Sequence, residues 1–486
     1  MSQEHFDRLT AIDASFLAQE GPVSHMHIGA MTVLDGPPPP FEDFLDSIRE
    51  RLHLVPRYRQ KLSFPPAESG RPVWIDDPGF NLEFHMRQTA LPHPGSEDQL
   101  LRLVSRIFSQ QLDRSKPLWE IWLIEGLADG SWALVSKTHH AMIDGVSGVD
   151  LATVLFDLQP QGREIEHPDD AWQPEPEPTP AELIASGALG AARTAVDGVK
   201  RAADVVMRPQ AALHEAREAA EGIGEIVWAG LNPAPPTPLN VEIGPHRRYR
   251  VERFDLAEFK EIKAALGGTV NDVVLAVVSG ALRDWLHSRG ARTEGLELRA
   301  LVPVSVRSEG EHDTLGNRIV AMRGPLPVYV DDPVARLRVV RQSMDDLKES
   351  KQAVGAGVLA GAQGFAPPTV LAQASRLNFS TRLFNVIVTN IPGPQFPLYM
   401  VGRRLRHLSP IAFLPRNHSL ALAIMSYDGE LSFGLLGDYD ALPDIDRIAS
   451  GLRDAVSELT ELAREKSAGG PGSNGRGAGS PLTTAT

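Results

Sequence analysis

The chain has 486 residues, beyond the size at which one hydrophobic core usually stops growing, so two core-bearing units are expected. With 42% hydrophobic, 23% charged and 6% aromatic residues the composition is globular rather than disordered, and a net charge of −14 disfavours nucleic acid as a partner. The absence of cysteine removes disulfides, zinc-thiolate sites, iron-sulfur clusters and any catalytic thiol.

The opening "MSQEHFDRLTAID" is polar and acidic and lacks the charged and apolar regions of a secretory signal. No run reaches the roughly 18 uninterrupted apolar residues that a spanning helix needs, so membrane contact is expected to be peripheral. From Ile12 to about Leu158 strand-like and helix-like patterns alternate: "HIGAMTVLD" as a strand, "FEDFLDSIRERLHLV" as an amphipathic helix, "EIWLIEGL" and "SWALVSKTHH" as strands. The helix follows from Phe41, Phe44, Leu45, Ile48 and Leu52 on one face. "QPQGREIEHPDDAWQPEPEPTP" is a proline-rich acidic linker, and the alanine-rich segment from Ala181 to Gly230 reads as one or two connecting helices.

Alternation resumes from Tyr249 to Leu462, with strand "RYRVERFDL", helices "LAEFKEIKAAL" and "TVNDVVLAVVSGALRDWLHSR", and strands "ELRALVPVSV", "LFNVIVTN" and "LALAIMSYDG". Asp428 and Gly429 give a two-residue hairpin signal, and "IDRIASGLRDAVSELTELA" a last amphipathic helix. The glycine- and serine-rich tail from Lys466 is expected to be disordered. Two α/β units are therefore expected, joined by the linker.

The motifs for a GxSxG nucleophile elbow, a phosphate-binding P-loop, an HExxH zinc site and a GxGxxG turn opening a helix are all missing. "GAGVLAG", Gly355 to Gly361, reads as a flexible loop. What remains is His139 and His140 at the end of "WALVSKTHH". Neighbours on a strand point to opposite faces, so the two imidazoles do not share a metal, and no metal is expected. One is placed to act as a general base near neutral pH and the other to support it. Asp144 and Gly145 follow in a sharp turn. Asp144 either orients His140 or, pointing back into the protein, pairs with an arginine to hold that turn. Asn271 and Asp272 open a helix and read first as its N-terminal cap. "NIPGP", Asn390 to Pro394, reads as turn chemistry.

"HHAMIDG" resembles the HHxxxDG signature of the coenzyme A-dependent acyltransferase superfamily. The resemblance narrows to the wax ester synthase/diacylglycerol acyltransferase family through "LTAIDASFLAQEGPVSHMHIGAMTVLDG", "KPLWEIWLIEGL", "TVNDVVLAVVSGAL", "LVPVSVRS", "LGNRIV" and "VTNIPGP". It implies an α/β fold of two chloramphenicol acetyltransferase-like sandwich domains, with an interdomain tunnel. On this reading residues 1–158 and 249–465 are the two domains, 159–248 the linker and helical connector, and 466–486 the tail.

The implied activity is transfer of a long-chain acyl group from acyl-CoA to diacylglycerol, to a long-chain alcohol, or to both. Carried over from the signature, His140 is the base, His139 supports it, and Asp144 with Gly145 holds the loop. Asn271 is active-site support, Asp272, Pro117, Leu118 and Trp119 are substrate-binding, and Arg307 pairs with Asp144. Acyl-CoA is a co-substrate and no cofactor is implied. A cytoplasmic enzyme, peripheral on the inner membrane or on lipid droplets, is expected. Two alternatives stay open: a specialised alcohol acyltransferase of the superfamily, or a non-catalytic lipid-binding protein of droplets. For the CoA phosphates the candidate cations are Arg247, Arg248 and Arg250, or Arg403, Arg404 and Arg406.

Overall fold

The strand Trp132–His139 is apolar on both faces, with Trp132 and Leu134 in one core cluster and Ala133 and Val135 in another. Such a strand belongs in the middle of a sheet covered on both sides. The structure, a computed structural model, describes residues 6–66, 70–142, 155–166, 172–187, 232–305, 319–349 and 379–468. It places this strand inside a six-stranded sheet ordered Tyr399–Met400, Arg403–Ile411, His27–Leu34, Trp132–His139, Trp119–Glu125 and Met86–Ala90. Only the last pair is parallel.

A second six-stranded sheet runs in the order Ile319–Leu326, Leu298–Ser305, Val386–Pro392, Leu420–Tyr427, Glu430–Asp438 and Arg247–Asp255. Val386–Pro392 is parallel to both of its neighbours, and the other pairs are antiparallel. The hairpin at Asp428 and Gly429 has φ of 43° and 87°, the left-handed pair that a two-residue turn between twisted strands requires. The outer face of this sheet is covered by Leu256–Leu266, Val270–Ser288, Pro333–Glu349 and Ile445–Ala468. Among the described residues no single helix is long and apolar enough to cross a membrane. The bent pair Leu256–Leu266 and Val270–Ser288 owes its hydropathy to its place in this core.

The sheets face each other across a shared core that includes Met31, Val33 and Val135 from one and Tyr249, Ile387 and Leu436 from the other. Helix Glu97–Phe108, started by a capping box between Ser96 and Gln99, contributes Leu100, Val104 and Ile107 to it. Its Ser105 and the following Ser109 accept the backbone N–H groups of Tyr249 and Arg247, each at 2.9 Å, on the edge strand of the second sheet. The two sheets approach closely at Gly434, where an added Cβ would lie 1.9 Å from the Pro410 carbonyl oxygen.

The sequence places Arg403–Ile411 within the second unit; its backbone pairs instead with His27–Leu34 of the first sheet. Its charged residues hid a strand whose other face is buried. Tyr399 likewise pairs with Asp157, whose carboxylate is held by both contacts of Arg51, at 2.9 and 2.8 Å. Beyond it, Trp172 of the acidic linker rests on the Arg59 guanidinium, 4.4 Å from the ring centroid. Residues 188–231 of the connector, the loop Gly355–Gly361 and the tail beyond 468 lie outside the described residues.

Candidate active site

The histidine pair is fixed from both neighbouring strands. The backbone N–H of His139 donates to Leu118 O and that of His140 to Met26 O, each at 3.0 Å. His139 ends the strand, fully buried, whereas His140 begins a short 3-10 turn through Met142. The rings therefore part. His140 stacks on Phe16, with centroids 3.9 Å apart and planes 21° apart, and meets the edge of Phe413 at 5.5 Å. Phe379 closes this aromatic wall, 5.9 Å from Phe16 and 5.7 Å from Phe413. Phe16 comes from helix Ala11–Gln19, and Phe413 from just past the strand that crosses between the two halves.

Burial against these rings, with His139 beside it, lowers the His140 pKa to about 4, its own carbonyl opposing in part. Desolvation disfavours the charged imidazolium, so at neutral pH the ring is neutral and able to accept a proton.

Behind His139 lies a carboxylate that sequence reasoning missed. The side chain of Glu20 is 3% exposed, with one oxygen 3.5 Å from His139 Nε2 and the other 3.6 Å from His27 Nε2. Arg114 Nε donates to it at 2.6 Å. Burial alone would raise its pKa, but His139, His27 and Arg114 hold the carboxyl well below the usual range. The only signal available was an acid closing a buried helix just before "GP". Among the described residues no group of His, Asp and Glu is arranged to hold a metal ion.

The motif residues fall in two places. Pro117 and Leu118 are buried next to the histidines, Leu118 seating His139 through its carbonyl. Trp119 points into the outer core of the first sheet, stacked between Tyr58 and His85, with its indole N–H on Tyr58 O at 2.9 Å. Asp272 is buried as the acidic partner of a capping box with Thr269, the helix N-cap; its Oδ2 accepts the Thr269 N–H at 2.7 Å. Asn271 is half-buried, and its Oδ1 accepts from the Asn390 amide at 3.2 Å, which brings "ND" and "NIPGP" together. Asp144, Gly145, the helix expected after them, and Arg307 lie outside the described residues.

The cations named for CoA are engaged within the protein. Arg247 donates to Gly244 O, Arg248 to Tyr439 O and Arg403 to Val401 O, while Arg250 pairs with Asp446. Arg404 pairs with Asp428, and Arg406 with Asp35 and Asp129.

With this geometry in place, comparison with known proteins is decisive. Residues 9–274 match the wax ester synthase/diacylglycerol acyltransferase catalytic domain, and residues 315–460 match the C-terminal domain of the same family. The chain belongs to the wax ester synthase/diacylglycerol acyltransferase family. A protein of Mycobacterium tuberculosis named a probable diacylglycerol O-acyltransferase, tgs1, is 35% identical over 475 residues, covering 95% of this chain and 97% of its own. A second from that organism, tgs2, with the same description, is 33% identical over 463 residues, 94% of this chain and 99% of its own.

In structure, the wax ester synthase/diacylglycerol acyltransferase of Marinobacter aquaeolei VT8 superposes with a TM-score of 0.66 at 28% identity, over 94% of this chain and 100% of its own. The first condensation domain of the calcium-dependent antibiotic synthetase matches with a TM-score of 0.57 at 17% identity, over 95% of this chain and 97% of its own. That second likeness concerns the fold alone: the family shares the two-domain, chloramphenicol acetyltransferase-like α/β architecture of condensation domains.

Proposed function

We infer that the protein is an acyl-CoA-dependent O-acyltransferase that transfers a long-chain acyl group to the hydroxyl of diacylglycerol, giving triacylglycerol, or of a long-chain alcohol, giving a wax ester. Family membership and relatives named as diacylglycerol O-acyltransferases support the reaction class. The observation that carries the chemistry is one neutral imidazole, His140, set on an aromatic wall where the two sheets face each other.

His140 takes the proton of the acceptor hydroxyl as its oxygen forms a bond to the thioester carbonyl carbon. The tetrahedral intermediate then expels the CoA thiolate, the C–S bond breaks, and the imidazolium returns its proton to sulfur. A thioester is already activated, so no covalent nucleophile is needed, and the absence of cysteine costs nothing. The reaction as proposed draws on no resident cofactor. Both substrates reach His140 through a tunnel between the domains. Because donor and acceptor both carry long apolar chains, the cytoplasmic enzyme we propose works against a lipid surface, the inner membrane or lipid droplets.

The test is purified protein with labelled palmitoyl-CoA and either dioleoylglycerol or hexadecanol, run beside His140→Ala. Ester formation by the wild type, reduced about 10² to 10⁴-fold in the variant, is expected for the loss of a general base. Undiminished turnover by the variant would remove His140 from the mechanism. Stoichiometric lipid retention without any ester would favour the binding-protein alternative.

A further inference from the structure

The reaction written above makes no use of Glu20, the buried carboxylate behind the histidine pair. An anion with 3% of its side chain exposed is costly unless paired, and this one is surrounded by His139, His27 and Arg114. Arg114 is itself tied to Leu17 O at 3.0 Å, which holds the carboxylate in one orientation.

The proton on His139 follows from its neighbours. The Ala141 N–H points at His139 Nδ1, 3.1 Å away, so Nδ1 accepts. In a neutral imidazole the other nitrogen then carries the hydrogen; Nε2 is buried without a hydrogen-bond partner, and a Glu20 oxygen stands 3.5 Å from it, an electrostatic contact rather than a formed hydrogen bond. In the opposite tautomer two N–H groups would confront each other at Ala141, and the turn His140–Met142 would open. Helix Ala11–Gln19 ties both rings together, since Phe16 lies under His140 and Glu20, one turn on, stands behind His139.

We propose that Glu20 is a positioning residue for acyl transfer: it selects the His139 tautomer whose Nδ1 receives the Ala141 N–H, and so fixes the turn from which His140 projects. The carboxylate touches no reacting atom. Its effect reaches the chemistry only through where His140 stands, and misplacement of a catalytic group by about 1 Å can cost on the order of 10²-fold in rate. The kinetic side of this proposal rests on the acyl-transfer reading; the proton on His139 does not.

Nitrogen-15 histidine spectra of the wild-type protein, with His139→Gln supplying the assignment, should show His139 protonated at Nε2 alone at neutral pH. In Glu20→Ala that signal should give way to a tautomer mixture, with kcat for palmitoyl-CoA and dioleoylglycerol about 10²-fold lower at unchanged KM. Glu20→Gln, which still offers an acceptor oxygen, should keep the tautomer and recover much of kcat. A wild-type His139 protonated at Nδ1, or a folded Glu20→Ala with wild-type kcat, would overturn the assignment. If the alanine variant does not fold, the wild-type spectrum decides. If the wild type forms no ester, the acyl-transfer reading fails and the spectrum still judges Glu20.

Discussion

Asn271 Oδ1 accepts a hydrogen bond from Asn390 Nδ2 at 3.2 Å, joining the first turn of helix Val270–Ser288 to the strand Val386–Pro392. A helix start and a proline-ended strand far apart in sequence are thereby held in register at one end of the second sheet. A double-mutant cycle with Asn271→Ala and Asn390→Ala should give a coupling of about 0.5–1.5 kcal/mol in urea denaturation. Strictly additive losses would show that the bond carries no stability.

The acid limb of activity should lie far below that of an ordinary histidine. With the His140 pKa lowered from 6.5 to about 4 by burial and by His139, kcat/KM should stay flat from neutral pH down through 6 and fall only as pH approaches 4. A limb centred near 6.5 would show that the aromatic wall does not desolvate the ring.

Stability should follow the same groups. His25, His27, His85, His140 and His418 all have pKa values depressed by burial. Between 6.5 and their folded values the unfolded chain binds more protons than the folded one, so stability is complete above 6.5 and declines as pH falls. Glu20, depressed by its partners, adds a further loss below about 4.5. Urea midpoints measured from pH 7.5 to 4 should fall steadily, and a flat profile would contradict the burial of these rings.

Lys137 is fully buried, with its ammonium on Glu120 at 2.9 Å and on the carbonyls of Ile107 and Gln110 at 2.9 and 2.6 Å. It fastens the end of helix Glu97–Phe108 to the strand that carries the histidines. Lys137→Ala leaves the buried Glu120 carboxylate with Arg87 Nε alone, 3.4 Å away, and removes the donor to both carbonyls, so it should cost about 3 kcal/mol in chemical denaturation, with wild-type stability the contradicting outcome.

Gly434 tests the junction of the sheets. An alanine there places Cβ against the Pro410 carbonyl, which also accepts from Tyr249 Oη at 3.0 Å, and backbone on both sides must yield. Gly434→Ala should destabilise by about 1–3 kcal/mol, with wild-type stability the outcome that contradicts so close an approach.

Elements with a clean apolar period were legible in the residues: the strands His27–Leu34 and Trp132–His139, the hairpin at Asp428 and Gly429, and the helices Val270–Ser288 and Ile445–Ala468. Helix Glu97–Phe108 went unread although Ser96 and Gln99 spell its capping box. Strand Arg403–Ile411 was obscured because its exposed residues are arginines. The sequence points to Asn271 and Asp272 as the helix cap; the cap is Thr269, and Asp272 is its capping-box partner three residues on. Glu20 was beyond reach for a different reason: a through-space contact to His139 leaves no spacing rule in the chain, and only the fold brings helix Ala11–Gln19 behind the strand.

The pairing of His27–Leu34 with Arg403–Ile411 has a consequence for synthesis. When the first half of the chain leaves the ribosome, the strand beside the histidines has Trp132–His139 on one side and an open hydrogen-bonding edge on the other. That edge waits until residues beyond 400 have been made, and the aromatic wall waits for Phe413. Neither half can therefore mature alone. Separately expressed halves should be aggregation-prone, and an early termination product should never display a finished base.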